Sequence, residues 1–403
     1  MVVWGMQKME KENSIKKHSK EKCCGCGLCA AICPVQAIEM YYDESGAKYP
    51  RVNEELCINC GKCLTNCVFE NELNRNKMKG VYAIITKNQD DIRRSASGGA
   101  FIEFAKRFVQ DGGVVYGSVY SKEGKGLYVT HARADKTDDL IPMQGSKYVQ
   151  SEIEGMYPLI RNDIESGRKV LFTGTPCQTA AIRKYIGESN NLYTIEIICH
   201  GTPGGELFRS YTEYLENKKH KEICDFRFRD KTSGWGFNAK ITYNDKKSHS
   251  VSGELDPYYF FFLKWSSLRS SCHHCVYADS NRQSDITIGD YNGIQMVQPE
   301  LLSQNGGIFD EADGISCLIV NTEKGVELFD RYKSGFMFEK TEFEKVSQYN
   351  MQLLKPCSEG THRERFFKTY KTEDWSGIIK LHKKLMGIRY YKRKIKSFIK
   401  RRV

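Results

Sequence analysis

The sequence predicts an α/β main domain with a mixed sheet, preceded by a small α+β head rich in cysteine. Three observations carry that expectation. A cysteine spacing is repeated near the N-terminus, short β-branched or aromatic runs alternate with amphipathic stretches from about residue 80 onward, and 403 residues are too many for one small core. The expected organisation is a flexible lead-in over 1–20, the head over 21–75, the α/β domain over 80–345, and a helical C-terminal region over 346–403 that ends in a basic tail. With 40% hydrophobic and 28% charged residues, the composition is that of a globular protein and sets aside the disordered and fibrous classes.

The lead-in, "MVVWGMQKMEKENSIKKHSK", is polar and Lys-rich. It has no apolar stretch followed by a small-residue cleavage site, so the chain is expected in the reducing cytoplasm. Dense cysteines at short regular spacing are there read as metal ligands rather than disulfides. Of the 16 cysteines, nine fall between Cys23 and Cys67. Cys23-x2-Cys26-x2-Cys29-x3-Cys33-Pro34 has the spacing of a bacterial two-cluster ferredoxin, and Cys57-x2-Cys60-x2-Cys63-x3-Cys67 repeats it. Three thiolates at that spacing wrap one cubane, and the fourth reaches across to the other cluster. The expected ligand sets are therefore Cys23, Cys26, Cys29 and Cys67 for one 4Fe-4S cluster, and Cys57, Cys60, Cys63 and Cys33 for the second. Gly25, Gly27 and Gly61 suit the tight wrap; Cys24 is spare. A doubled run of this kind followed by proline is not a zinc-ribbon spacing. Val68 stands where a second proline is usual, which touches the turn and not the ligands.

After the head, "VYAIIT" (81–86) reads as a strand, and "GGAFIEFAKRFVQDGG" as a helix with Phe101, Phe104, Ala105, Phe108 and Val109 on one face, stopped by glycines. "VVYGSVY" and "LYVTHARA" follow as strands. "KVLFTG" is a strand, "PCQTAAIRKYI" a helix with proline in its first turn, and "NLYTIEIIC" another strand. A helix is expected from about Glu206 to Lys219, then "ICDFRFRD" and "FNAKITYND" as an antiparallel excursion, with "SDITIGDY" and "GISCLIVN" returning as strands. The longest apolar run, "YYFFFL" (258–263), is far short of a bilayer span.

Four cysteines of this second part stand in special places. Cys177 opens a helix just after a strand, where the helix dipole and free N–H groups favour a thiolate. Cys199 ends the next strand. If those strands are parallel and joined by a right-handed crossover, both thiols lie at the carboxyl edge of the sheet. Cys272 and Cys275, with His273 and His274 between them, would complete a set of four. Spacing alone leaves several readings open: a third cluster, small buried hydrophobes, a Cys177–His200 nucleophile and base, or zinc on Cys272, His273 or His274, and Cys275 with one outside ligand.

The ordered motifs "RSASGGAF", "GSKYVQS", "FTGTPCQ", "CHG", "CHHCVYADSNRQSDITIGDYNG" and "GISCLIVNTEKG" resemble the coenzyme F420 hydrogenase/dehydrogenase beta-subunit family with an N-terminal ferredoxin domain. The resemblance runs from about residue 20 to about residue 345. It implies a third 4Fe-4S cluster on Cys177, Cys199, Cys272 and Cys275. It also implies a bound FAD that exchanges single electrons with that cluster and a hydride with an organic acceptor. Clusters carry one electron each, so a two-electron reaction needs such an adapter.

"SASGG" offers N–H groups of Ser97, Gly98 and Gly99 at a helix start for phosphate oxygens, although a plain cap by Ser97 explains it almost as well. Lys147 is a candidate for a phosphate or for negative charge on the flavin ring, and Thr175 and Gln178 for ring contacts. Asp285 and Asp290 frame "DITIGD", where a structural turn role is at least as good as a catalytic one, and no acid–base dyad is evident. In methanogens the resembled family acts on the deazaflavin coenzyme F420, while relatives of this shape look like bacterial proteins associated with surface-polysaccharide synthesis.

The net charge of +11 sits in the tail: from Trp375 to Val403 there are eleven Lys and Arg and no acid, so the rest of the chain sums to zero. Leu385, Ile388, Tyr391, Ile395 and Phe398 interleave with those cations at helical spacing. The tail is a candidate contact with the anionic inner face of a membrane or with an acidic partner, and a solvated basic helix explains it equally. No nucleic-acid-binding module accompanies the charge. Three readings follow: an iron–sulfur flavoprotein oxidoreductase with a redox partner protein and a small-molecule hydride acceptor or donor; a non-catalytic electron-carrier subunit of a larger redox complex; and a metal-stapled binding protein recruited by its tail.

Overall fold

The computed structural model describes residues 14–71, 74–232 and 234–400. Most of the expected lead-in lies outside the described residues. What is described of it packs rather than trails: Ile15, in a short 3-10 turn, is buried against Cys29, Ile38 and Cys63. An isoleucine in a Lys-rich stretch is the signal that the charge masks.

The head is a pseudo-repeat. Two one-turn helices, Leu28–Ala31 and Lys62–Thr65, each start from a glycine, Gly27 or Gly61, at φ +75, where a side chain would be strained. Between them lies the antiparallel hairpin β1 (Ile38–Tyr42) and β2 (Lys48–Val52). Its turn is fixed by Asp43, whose carboxylate accepts from the Ser45 backbone N–H and hydroxyl at 2.9 and 2.6 Å.

The body follows as β3 (Gly80–Thr86), β4 (Val114–Ser121), β5 (Tyr128–Ala134), β6 (Val170–Gly174), β7 (Leu192–Ile197), β8 (Ile223–Arg227), β9 (Asn238–Tyr243), β10 (Ser248–Ser252), β11 (Ile286–Asp290), β12 (Ser316–Val320) and β13 (Phe336–Lys340). Among the described residues, eight of these strands form one sheet in the order β13-β3-β12-β11-β7-β6-β4-β5. The neighbours β4, β6, β7 and β11 are parallel; the other pairings, β4 with β5 and β11 through β12 and β3 to β13, are antiparallel. The sheet is mixed, as expected.

Helices cover both faces because both faces are apolar. Alternate residues such as Val115, Leu171 and Ile195 meet Phe104, Phe108 and Phe329 from the helices Ala100–Gln110 and Glu323–Tyr332. Val114, Tyr116 and Phe172 meet Tyr157, Ile160 and Ala181 from the helices Met156–Glu165 and Pro176–Ile186. The helix Pro176–Ile186 follows the carboxyl end of the parallel strand β6, so its first turn and the residues after the neighbouring parallel strand β7 share one edge.

The excursion β8–β9–β10 is antiparallel and closes over an aromatic core. "YYFFFL" belongs to a short helix, Pro257–Leu263, capped by Asp256, whose side chain accepts from the Tyr259 N–H at 2.9 Å and the Tyr211 hydroxyl at 2.6 Å. Trp375 fills the same core, 4.6 Å from the ring of Tyr211. The tail is two helices rather than one: Arg363–Met386, kinked at Asp374, and Ile388–Lys400, separated by Gly387 at φ +55.

Candidate metal centre and adjoining cavity

The head thiols form two rings. Cys33, which belongs to the first cysteine run, lines one cavity with Cys57, Cys60 and Cys63 of the second. Cys67 in turn lies within electrostatic reach of Cys23, Cys26 and Cys29. The arrangement is crossed: each fourth cysteine lies with the first three of the other run. Burial lifts the Cys29 thiol well above its ordinary range and that of Cys67 to about 11, so metal must displace protons to bind. The rings differ in exposure: Cys23 and Cys29 are buried, whereas Cys60 is exposed and flanked by exposed Leu56 and Ile58.

The buried ring is clamped to the body. Gln150 donates its side-chain amide to the carbonyls of Cys24 and Gly25 at 2.8 and 3.2 Å, and the Tyr157 hydroxyl donates to the Cys26 carbonyl at 2.9 Å. Arg269 reaches in as well. Its guanidinium donates to the carbonyls of Cys23 at 3.0 Å and Lys48 at 2.8 Å and to the Gln150 side-chain oxygen at 2.6 Å, and it lies over the Tyr49 ring.

Directly behind that clamp, Cys177, Cys199, Cys272 and Cys275 line one cavity together with Arg269. Parallel pairing of β6 with β7 brings Cys177 and Cys199 to the same sheet edge, as the crossover expectation requires. The segment Ser270–His274 carries Cys272 to them. Backbone N–H groups point at the sulfurs: Gly201 donates to Cys199 Sγ and Thr202 to Cys272 Sγ, both at 3.4 Å. Gly201 sits at φ +107, and a Cβ there would lie 2.9 Å from that of Cys272, so the residue can only be glycine.

Desolvation pushes the thiols of Cys199 and Cys272 up and that of Cys275 to about 12. Cys177 goes the other way, to about 7, chiefly through a hydrogen bond from the Cys24 thiol. The helix start contributes, but Cys24 is the larger cause. Cys24, spare in the sequence, thus lies on the same cavity wall, and so does Cys357, which motif spacing does not mark.

The donor set fits a cluster. Four thiols, the ligand type of an iron–sulfur cluster, line the one cavity, and among the described residues no group of three His, Cys, Asp or Glu is set to hold a single metal ion. Arg269 supplies the second observation: a buried guanidinium whose Nε lacks a partner and which pairs with no carboxylate among the described residues. Such a charge is costly unless an anionic group faces it.

The competing readings fare worse. The His273 ring turns to Cys357, at 3.3 Å from its carbonyl and 3.6 Å from its sulfur, and His274 is exposed. The Cys177 sulfur contacts the Thr175 hydroxyl at 3.2 Å rather than His200.

A second cavity, of about 490 Å³, adjoins the first. Thr175, Gln178, Cys199 and His200 through Thr202 line both. Of the residues the motif reading singles out, Ser97, Gly99, Lys147, Thr175 and Gln178 line this cavity. Gly98 does not line it. It is packed against the sheet, donating its N–H to the Ser316 hydroxyl at 3.0 Å, and a Cβ would meet the Ile84 carbonyl.

Ser97 is not a cap either: its hydroxyl donates to the Ile315 carbonyl at 2.9 Å, and Gly99 begins the helix Ala100–Gln110 without a capping side chain. The first N–H groups of that helix are thus left for another acceptor. Gln178 completes a capping box with Thr175 and donates to Ser151, which fixes the turn carrying Cys177. Lys147 lies over the Tyr120 ring with only backbone carbonyls at 3.4–3.5 Å, and burial lowers its ammonium to about 8.

Two lining residues carry no mark in the sequence. His131 is buried and stacked on Phe172; its Nε2 donates to the Thr173 carbonyl at 2.8 Å, which leaves Nδ1 an unpartnered acceptor, and burial lowers its pKa to about 4. Arg229 pairs with Asp290 at 2.6 Å and keeps one terminal nitrogen unpartnered. Period-two strand patterning places His131 inward, but nothing local marks it as facing a cavity. Asp290 therefore belongs to the cavity wall. Asp285 is structural, accepting from Thr194 and from the Thr322 hydroxyl at 2.7 Å.

Residues 167–346 match the model of a family described as the C terminus of the coenzyme F420 hydrogenase/dehydrogenase beta subunit, and residues 22–71 match that of a 4Fe-4S dicluster domain. Over 53 residues the chain is 42% identical to an uncharacterized ferredoxin of Methanocaldococcus jannaschii, a span that is 12% of this chain and 68% of that protein. A chain of the F420-reducing NiFe hydrogenase complex from Methanosarcina barkeri, solved in a xenon derivatization study, is similar at 17% identity and a TM-score of 0.42, over 78% of this chain and 95% of that one.

Proposed function

We propose that the chain, whose residues 167–346 match the coenzyme F420 hydrogenase/dehydrogenase beta-subunit family and whose residues 22–71 match a 4Fe-4S dicluster domain, is an iron–sulfur flavoprotein oxidoreductase with a third cluster between head and flavin. The observation that carries this reading is the shared wall: the four-thiol cavity and the large cavity meet at Thr175, Gln178, Cys199 and His200. When bound, the cubanes would supply one-electron storage and FAD the conversion between two single electrons and one hydride.

Cys177, Cys199, Cys272 and Cys275 would hold the third cubane, with the Gly201 and Thr202 N–H groups and Arg269 balancing its negative charge. The free first turn after Gly99 and the buried ammonium of Lys147 suit phosphate oxygens or an anionic ring. His131 Nδ1 offers an acceptor and Arg229 a donor. Gln178 holds the Cys177 turn in place.

The exposed ring of Cys57, Cys60, Cys63 and Cys33 is the outer one, where a redox partner protein would exchange electrons with the head. The clamped ring of Cys23, Cys26, Cys29 and Cys67 is the inner one. The hydride partner would be coenzyme F420-like or a substrate of surface-polysaccharide synthesis, entering the same large cavity.

The test is anaerobic purification with FAD present, followed by flavin release and reduction of the head by a one-electron donor. One flavin per chain, bleached as the head is reduced and bleached far more slowly in Cys275→Ser, supports the reading. Protein that retains about eight iron atoms and binds no flavin is instead an electron carrier.

A further inference from the structure

The second tail helix presents a surface that the redox chemistry does not use. Tyr390 packs edge-on against His382, with ring centres 5.7 Å apart, and Arg393 pairs with Glu254 at 2.9 Å. These two contacts dock one side of Ile388–Lys400 on the body. The opposite side carries Ile388, Tyr391 and Ile395, at 71%, 61% and 62% exposure. Positions i, i+3 and i+7 fall on one face of an α-helix, so the three side chains form a single apolar stripe turned away from the protein.

Lys392 and Lys394 flank the stripe on its two sides and Arg389 lies beyond Lys392. Among the described residues none of these three cations has a carboxylate partner, although Arg393, on the docked side, does. Gly387, at φ +55, is what turns the stripe outward. In the helix before it, Ile378, Leu381 and Met386 are buried, and without the break the apolar positions of both helices would compete for the same core.

We propose that this face lies on an anionic lipid surface, with Ile388, Tyr391 and Ile395 entering the headgroup–acyl boundary while Lys392 and Lys394 extend to lipid phosphates. Charge complementarity and geometry commit it to that occupant. A helix held in place along one side, apolar on the other and edged by lysines has the layout of an in-plane interfacial helix, and long cationic side chains reach back from such a face to the headgroups. A nucleic acid would engage the cations but leave the isoleucines unused. No helix among the described residues is long and apolar enough to cross a membrane, so the contact is peripheral.

The experiment is co-sedimentation of the full-length, cluster-loaded protein with vesicles of phosphatidylcholine alone or of phosphatidylcholine mixed with phosphatidylglycerol. The parent is expected to partition onto the mixed vesicles and not the neutral ones. The triple variant Ile388→Ser, Tyr391→Ser, Ile395→Ser and the double variant Lys392→Ala, Lys394→Ala should each lose roughly tenfold or more. All five side chains are exposed, so unchanged iron content verifies folding. Failure of the parent to bind either vesicle overturns the proposal. So does binding that the triple variant retains, or binding to duplex DNA that matches the vesicles and ignores the triple substitution.

Discussion

Arg269 gives the most direct handle on the junction between head and body. Its guanidinium is buried, touches the Cys23 carbonyl at 3.0 Å and lines the four-thiol cavity, with no carboxylate to neutralise it among the described residues. A positive charge there stabilises the reduced, more negative state of whatever lies on either side, and so raises midpoint potentials. At an effective dielectric near 20 and a separation of ~7 Å the interaction is about 2 kcal/mol, on the order of 100 mV for one electron. Arg269→Met should therefore lower the potentials of the inner head cluster and of the third cluster by roughly that amount, and Arg269→Lys should restore most of it. The outer cluster, ringed by Cys33, Cys57, Cys60 and Cys63, serves as the internal control. Redox titration followed by electron paramagnetic resonance reads all of them in one sample. Equal shifts at every cluster, or none at the inner two, would refute the charge placement.

Other outcomes can be checked separately. His131 has an ordinary pKa near 6.5 unfolded and about 4 folded, so the native state is penalised as pH falls through that window. Between pH 7 and pH 5 the loss is about 2 kcal/mol, and scanning fluorimetry should show His131→Gln gaining roughly 2–4 °C on the parent over that step; a constant gap would show that the imidazole is not buried neutral. Lys147→Gln should weaken FAD binding by roughly tenfold or more, and in the parent, affinity should fall as pH rises through about 8, where the ligand-free lysine loses its proton; a flat profile by equilibrium dialysis removes Lys147 from the phosphate or ring contact. Gly201→Ala should displace Cys272 and cost about four iron atoms per chain with the head clusters kept, measured by iron assay. Trp375→Ala, which empties a buried site packed against the Tyr211 ring, should cost about 3–5 kcal/mol in stability and leave iron content unchanged.

Much of the site is legible in the sequence because its residues announce themselves locally. The crossed head rings follow from spacing, since each run is short enough for one loop to wrap a cubane. Cys177 and Cys199 can be brought together because β6 and β7 are consecutive, β-branched and separated by one helix, which leaves a parallel pair as the natural solution. What stays hidden depends on side chains arriving from far along the chain. The signal for Arg269 is a bare arginine before "SSCHHC", and its hydrogen bond to the Cys23 carbonyl joins residues 246 positions apart. His131 looks like any inward strand residue, and Cys24 like an unused thiol, until Cys177 is placed beside it. The tail reads as one amphipathic helix because periodicity carries straight through Gly387; only the backbone break assigns Met386 to the core and Ile388 to the surface. The small edge strand β13 and the third excursion strand β10 leave no clear mark in the sequence, their pairing being decided by neighbours rather than by composition.

The central claim is that the body carries a cubane of its own. Iron and acid-labile sulfide should be counted in anaerobically reconstituted protein, parent against Cys275→Ser. The account predicts about 12 iron atoms per chain falling to about eight in the variant, with both head signals intact. About eight in both proteins would contradict it.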